Sequence, residues 1–175
     1  KWQQGINWNA IYFENHDQPR FISRFSDSGK YRKKASMMMA GLQMTLRGTP
    51  YIFEGQDIGM TNGDFQDLSQ VMDIESHNVY ALAKKLGIPA ALRWKMILRT
   101  SRDHGRTPMQ WDDSEHAGFT KGTPWIKVNP NYKQVNLKKD RESEFSVLSC
   151  LMKLGFHHAG GLDALYESLQ TVHNV

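Results

Sequence analysis

Ala10-Ile11-Tyr12-Phe13-Glu14-Asn15-His16-Asp17-Gln18-Pro19-Arg20 is the stretch on which the reading of this chain turns. A short apolar run closed by a breaker reads as a buried strand, here Asn9 to Phe13, and Gln18-Pro19 ends it. Asn15, His16, Asp17 and Arg20 then crowd the carboxyl end of that strand. A packed strand end has no structural use for so many hydrogen-bonding side chains in a row, whereas a ligand with adjacent hydroxyls does. In parallel α/β barrels the catalytic groups gather at the carboxyl ends of the strands. For an isolated His-Asp pair the plainer reading is a turn or a cap.

Outward from this stretch, Gln18 to Gly29 reads as a loop rich in Ser, Arg and Gly. Tyr31 to Leu46 reads as a helix, with Ala35, Met38, Met39, Leu42 and Leu46 at three- and four-residue steps. The run Met37, Met38, Met39 and Met44 reads as gap-filling core. Gly48 stops the helix and Pro50 bars its continuation. Tyr51-Ile52-Phe53 is the next short strand. Strand, helix and strand in this order form a βαβ unit with parallel strands. Asp57 to Gln70 reads as a loop, Val71 to Leu86 and Ala90 to Arg99 as helices. Ser101 to Asn131 is rich in turns yet carries Trp111, Phe119 and Trp125, so it reads as an ordered excursion packed down by aromatics and not as a linker. Two further helices are expected over 145–154 and 162–172.

The chain has 175 residues, 39% hydrophobic, enough for one core but short of the roughly 250 residues of a whole (β/α)₈ barrel. Net charge is +4 without a dense basic run, which argues against a nucleic-acid partner. No apolar stretch is long enough to cross a membrane. The single cysteine, Cys150, excludes an intrachain disulfide and fits a reducing, cytoplasmic compartment. His157-His158 lacks metal-ligand spacing with Cys150, so no metal site is expected. No Gly-rich phosphate loop occurs.

Asn15-His16-Asp17 resembles the signature of the α-amylase family of glycoside hydrolases, and within it the group of oligo-1,6-glucosidases, trehalose-6-phosphate hydrolases and dextran glucosidases. The same resemblance is carried by Ser23-Arg24-Phe25 and by Gly48-Thr49-Pro50-Tyr51-Ile52-Phe53-Glu54-Gly55-Gln56-Asp57-Ile58-Gly59-Met60-Thr61-Asn62. Arg106-Thr107-Pro108-Met109-Gln110-Trp111, Ala117-Gly118-Phe119-Thr120, Gly122-Thr123-Pro124-Trp125 and Val128-Asn129-Pro130-Asn131-Tyr132 follow in the family's order. It implies an α/β fold, the C-terminal part of a TIM (β/α)₈ barrel with its last two strands, the intervening helix and a long loop and helical excursion. Residues 1–65 would be the strand-helix-strand piece and 66–140 the excursion between last strand and last helix. Residues 141–175 would be a divergent tail, either the last barrel helix or a frame-shifted or truncated end, because the match fades after Val147.

The resemblance also assigns roles. Asp17 would be the catalytic carboxylate that stabilises the transition state through the 2- and 3-hydroxyls of the glucose being cleaved. His16 would donate to the same edge. Arg106 would bind the same glucose beside an aspartate from the N-terminal half of the barrel, or else anchor a loop. Arg20 would either line the site or tie down its loop. Glu54, Asp57 and Asn15 read as support. The nucleophile and the acid/base would precede Lys1, so the chain alone is expected to be inactive and the parent to be a retaining α-glucosidase acting on an oligosaccharide. No cofactor is expected in this chain; a divalent ion, where the family binds one, uses an N-terminal loop that is not part of it. A trehalose-6-phosphate hydrolase fragment, a non-catalytic amylase-like protein and a decayed gene fragment remain as alternatives.

Overall fold

A computed structural model describes residues 8–158. Strands β1 (Ala10–Ile11) and β2 (Thr49–Pro50) pair in parallel, Ala10 opposite Thr49 and Ile11 opposite Pro50. Between them lie a short helix α1 (Phe21–Phe25) and the longer α2 (Arg32–Thr45). The expected βαβ unit is therefore present, with two differences. Each strand is shorter than the apolar run that signals it, and β2 begins two residues before Tyr51. The rungs explain the shift: Thr49 N donates to Asn9 O at 2.8 Å and Tyr51 N to Ile11 O at 2.7 Å. Gly48 permits this approach, since a Cβ there would stand 2.3 Å from Asn9 O at a φ of +149°. The second difference is α1, inside the segment expected to be a loop.

Helix α2 buries a different stripe from the one its apolar residues suggest. Ala35, Ser36, Ala40, Gln43 and Met44 face inward, while Met38 and Leu42 are exposed. Gln43 is the reason. Its Nε2 donates to Ile11 O at 3.1 Å and to Tyr51 O at 2.9 Å, and its Oε1 accepts from Gln56 Nε2 at 2.5 Å. A buried amide satisfied this fully stitches both strands to the helix, and burying it costs little.

Part of this buried stripe of α2 is covered from the C-terminal end of the described chain. Helix α5 (Leu137–Arg141) leads to α6 (Val147–His158), and Val147, Cys150, Leu151 and Leu154 pack on Ala40 and Met44. Asp140 caps the start of α6: its oxygens accept from Ser146 Oγ at 2.8 Å, Leu148 N at 3.1 Å and Val147 N at 3.2 Å. A carboxylate against free helix N–H groups is favourable. The helix expected over 145–154 thus exists and runs longer; the one expected over 162–172 lies outside the described residues.

The excursion is built on α3 (Ile74–Lys85) and α4 (Ala90–Thr100), which close over Phe65, Val71, Ile97 and Ile126. It is ordered as expected, but its aromatics do not fasten it. Trp111 and Phe119 are about half exposed and Trp125 is 73% exposed. Amides do that work instead: Asn129 Nδ2 donates to Asn62 O and Asn131 Nδ2 to Thr61 Oγ1, both at 2.8 Å. No helix among the described residues is long and apolar enough to cross a membrane.

Candidate active site

The turn after β1 has an inner and an outer face. On the inner face, Glu14 is buried; its Oε1 accepts from Phe21 N at 2.8 Å and its Oε2 meets Arg20 Nη1 at 3.1 Å. Arg20 has no exposed surface. The same Nη1 donates to Glu54 O at 2.5 Å, the guanidinium lies over the Phe53 ring, and the backbone N–H donates to Asn62 Oδ1. Of the two roles the sequence leaves open for Arg20, this geometry is that of the tie. A fully buried side chain presents no face to a ligand. Burial pushes Glu14 above the usual carboxylate range, although Arg20 and the Phe21 N–H pull the other way. Glu54 contributes its backbone oxygen to this knot while its side chain is exposed. Burial likewise raises Asp57, whose Oδ1 has no partner among the described residues.

On the outer face, Asn15 Oδ1 accepts from Asp17 N at 2.9 Å and closes an Asx turn. Asp17 is thereby lifted out, half exposed. Its Oδ1 accepts from Arg106 Nη2 at 2.9 Å, across 89 residues of sequence, and Arg106 Nε donates to His16 O at 2.8 Å. Its Oδ2 faces His16 Nε2 at 3.2 Å. Three of the four residues singled out from sequence, Asp17, His16 and Arg106, therefore meet at one point. Gly105 makes the meeting sterically allowed. A Cβ at that position would sit 2.6 Å from Gln18 O and 2.9 Å from Asn15 O.

Sequence reasoning missed Arg102. A 3₁₀ turn over Arg102–His104 puts it on the same side as Arg106. Its Nη1 stands 3.8 Å from Asp17 Oδ1, while Nε and Nη2 grip Asp73 Oδ1 at 3.0 and 2.6 Å, with Glu75 Oε2 at 3.2 Å. Asp73 caps α3 through Ser76 N and Oγ. Burial alone would raise its pKa, but bonds from Arg102 and Ser76 outweigh that and hold it below the usual carboxylate range. The signal was present as a second arginine four residues before Arg106, with Asp103, His104 and Gly105 between them. An open hollow lined by Tyr12, Asn15, Tyr51 and Ile52 adjoins the turn. Among the described residues no three His, Cys, Asp or Glu side chains gather as a metal site would require.

A strand-end Asp held by arginine beside a histidine suits the binding of adjacent sugar hydroxyls. The sequence profile described as "Alpha amylase, catalytic domain" matches residues 1–156. The chain belongs to the α-amylase catalytic-domain family. That match extends past Val147, where the sequence reading expected it to fade, and so includes most of α6. An oligo-1,6-glucosidase of Halalkalibacterium halodurans is 44% identical over 95% of this chain and 32% of that protein. A trehalose-6-phosphate hydrolase of Escherichia coli is 43% identical over 87% of this chain and 28% of that protein. The crystal structure of Bacillus licheniformis trehalose-6-phosphate hydrolase superposes with a TM-score of 0.87 at 43% identity, covering 94% of this chain and 30% of that one. The chain thus spans about a third of the length of its α-amylase-family relatives, and its fold is a piece of a TIM-barrel-type catalytic domain.

Proposed function

We propose that the chain is the C-terminal part of the catalytic barrel of a retaining α-glucosidase, its last two strands with their intervening helix, acting on α-1,6 or related bonds in short oligosaccharides. Asp17 Oδ1 beside Arg106 Nη2, with His16 Nε2 at Oδ2, is the observation that supports this reading most. Retaining glycosidases pass through an oxocarbenium-like transition state, and hydrogen bonds to the 2-hydroxyl strengthen as the ring flattens. In this reading Asp17 and His16 supply those bonds. Arg106 holds Asp17 and closes the glucose-binding edge, and Arg20 supports the loop from beneath. The nucleophile and the acid/base come from the barrel strands that precede this segment. Without them the chain binds at most and does not turn over. The domain division at about residues 65 and 140, a cytoplasmic location and independence from any cofactor in this segment belong to the same proposal.

A second reading, hydrolysis of trehalose 6-phosphate, draws support from the relatives of that name at nearly equal identity. The test is hydrolysis of p-nitrophenyl α-glucoside, isomaltose and trehalose 6-phosphate by this chain and by the same chain joined to the upstream half of the barrel. Turnover of isomaltose by the joined protein only, abolished by Asp17→Ala, is expected. Turnover of trehalose 6-phosphate in preference would move the assignment to the second reading. Turnover by the short chain alone would place the catalytic pair inside it and overturn the account.

A further inference from the structure

We infer that Arg102 is a positioning residue that holds Asp17 in its working orientation from a fixed base on Asp73, so that the first turn of helix α3 becomes the second support of the catalytic turn. The inference rests on the glucosidase reading of Asp17. It starts from how the Asp17 carboxylate is divided. Oδ1 is occupied by Arg106 at 2.9 Å, with Arg102 behind it at 3.8 Å. Among the described residues Oδ2 faces only His16. One oxygen is held by the protein and the other is left for the ligand.

Arg106 grips the turn only at two neighbouring residues, through Nη2 to Asp17 Oδ1 and Nε to His16 O, and comes from the segment just after Arg102–His104. Arg102 brings in an independent element. Its Nε and Nη2 form a fork on Asp73 Oδ1, a geometry that fixes the guanidinium plane. Asp73 is buried and is itself immobilised, because Oδ2 is spent on Ser76 and its own N–H is donated to Asp103 Oδ2 at 2.9 Å. With both sides of the fork anchored, the remaining Nη1 has a set location, and it points at Asp17. Glu75, two-thirds exposed on the same guanidinium, adds charge to the base without closing it.

The test uses the joined, full-barrel protein and three variants. Arg102→Gln removes the brace. Asp73→Asn keeps a good helix cap and the fold of α3 but weakens the grip on the guanidinium. The third variant carries both. Each is expected to lower kcat on p-nitrophenyl α-glucoside about tenfold with KM within about twofold, because a small misplacement of a group acting in the transition state costs rate more than binding. The double variant is expected to be no worse than Arg102→Gln, the mark of two residues acting as one device. Arg102→Lys, which keeps the charge and loses the fork, is expected to recover only part of the rate. A kcat within twofold of the parent in Arg102→Gln, or losses that multiply in the double variant, would overturn the inference. Exchange of the Asp17 amide hydrogen, bonded to Asn15 Oδ1, reads the same brace without activity. Faster exchange in Asp73→Asn supports it and unchanged exchange overturns it, even if the joined protein proves to have no glucosidase activity.

Discussion

The two faces of the turn Glu14 to Arg20 use the same chemistry for opposite ends. Inside, a carboxylate meets an arginine with neither open to water; outside, Asp17 meets Arg106 with the carboxylate half open. A buried pair contributes little net stability over an apolar pair, yet losing one partner leaves a charge stranded. A half-open pair holds an oxygen in place and keeps its neighbour available. The difference teaches that charge pairing in this sequence does not mark a functional group. Only burial and the number of oxygens left free separate the anchor from the site.

The sharpest way to break the comparison is to remove one carboxylate from each face. Asp17→Ala in the joined protein is expected to cost on the order of 10³ in kcat, the several kcal/mol that transition-state hydrogen bonds supply, with the melting temperature nearly unchanged. Steady-state kinetics with a thermal melt decides it; a large fall in melting temperature would make Asp17 a structural residue. Arg20→Met is expected to do the reverse. It strands Glu14 and should cost about 3 kcal/mol of stability by urea unfolding. If the variant keeps its stability and loses activity, Arg20 belongs to the outer face after all.

Gly105→Ala tests the contact between the two segments. With Gln18 O and Asn15 O within 3 Å of the new methyl, one segment must move. A loss of about 1–3 kcal/mol is expected from overpacking. Loss of the Arg106 bond to Asp17 should follow, read as a fall in kcat beyond that of a neutral surface variant. Wild-type kinetics would show that Arg106 does not need this approach.

How much of this was legible in the sequence follows from the kind of force at each place. Helix α2, in extent, declares itself by periodicity and by Gly48 and Pro50 at its end, and the break between α3 and α4 by Gly87 and Pro89. Asp17, His16 and Arg106 could be singled out because the motif order carried each of them, but the pairing of Arg106 with Asp17 across 89 residues has no local signal, and the sequence reading gave Arg106 a different aspartate. The inner stripe of α2 was misread because Gln43 is polar by type and buried by partners, and periodicity counts only type. Trp111, Phe119 and Trp125 were misread for the converse reason: an aromatic signals burial, and nothing local says that amides from Asn129 and Asn131 already hold the excursion. Helix α1 has no side-chain cap and no acidic first turn, so a five-residue helix leaves no signature. Arg102 was passed over because its meaning lies in Asp73, distant in sequence until α3 and α4 fold together.

The smallest expected effect concerns pH and separates the two faces once more. Glu14, raised by burial, is protonated in the folded chain at a pH where the unfolded chain has ionised it near 4.5. Its contribution to stability is complete below that value and is lost as pH rises through the folded pKa. His104 runs the other way. It is buried beside Phe65 with Nε2 donating to Leu98 O at 2.9 Å, and burial holds its pKa below 6.5. Its contribution is complete above 6.5 and is lost as pH falls through the folded pKa. Urea unfolding between pH 4 and 8 should therefore show Glu14→Gln reducing the decline that accompanies rising pH. His104→Gln should reduce the decline that accompanies falling pH. A His104→Gln profile parallel to the parent's would mean that water reaches the imidazole and that the inner side of this segment is less sealed than its burial implies.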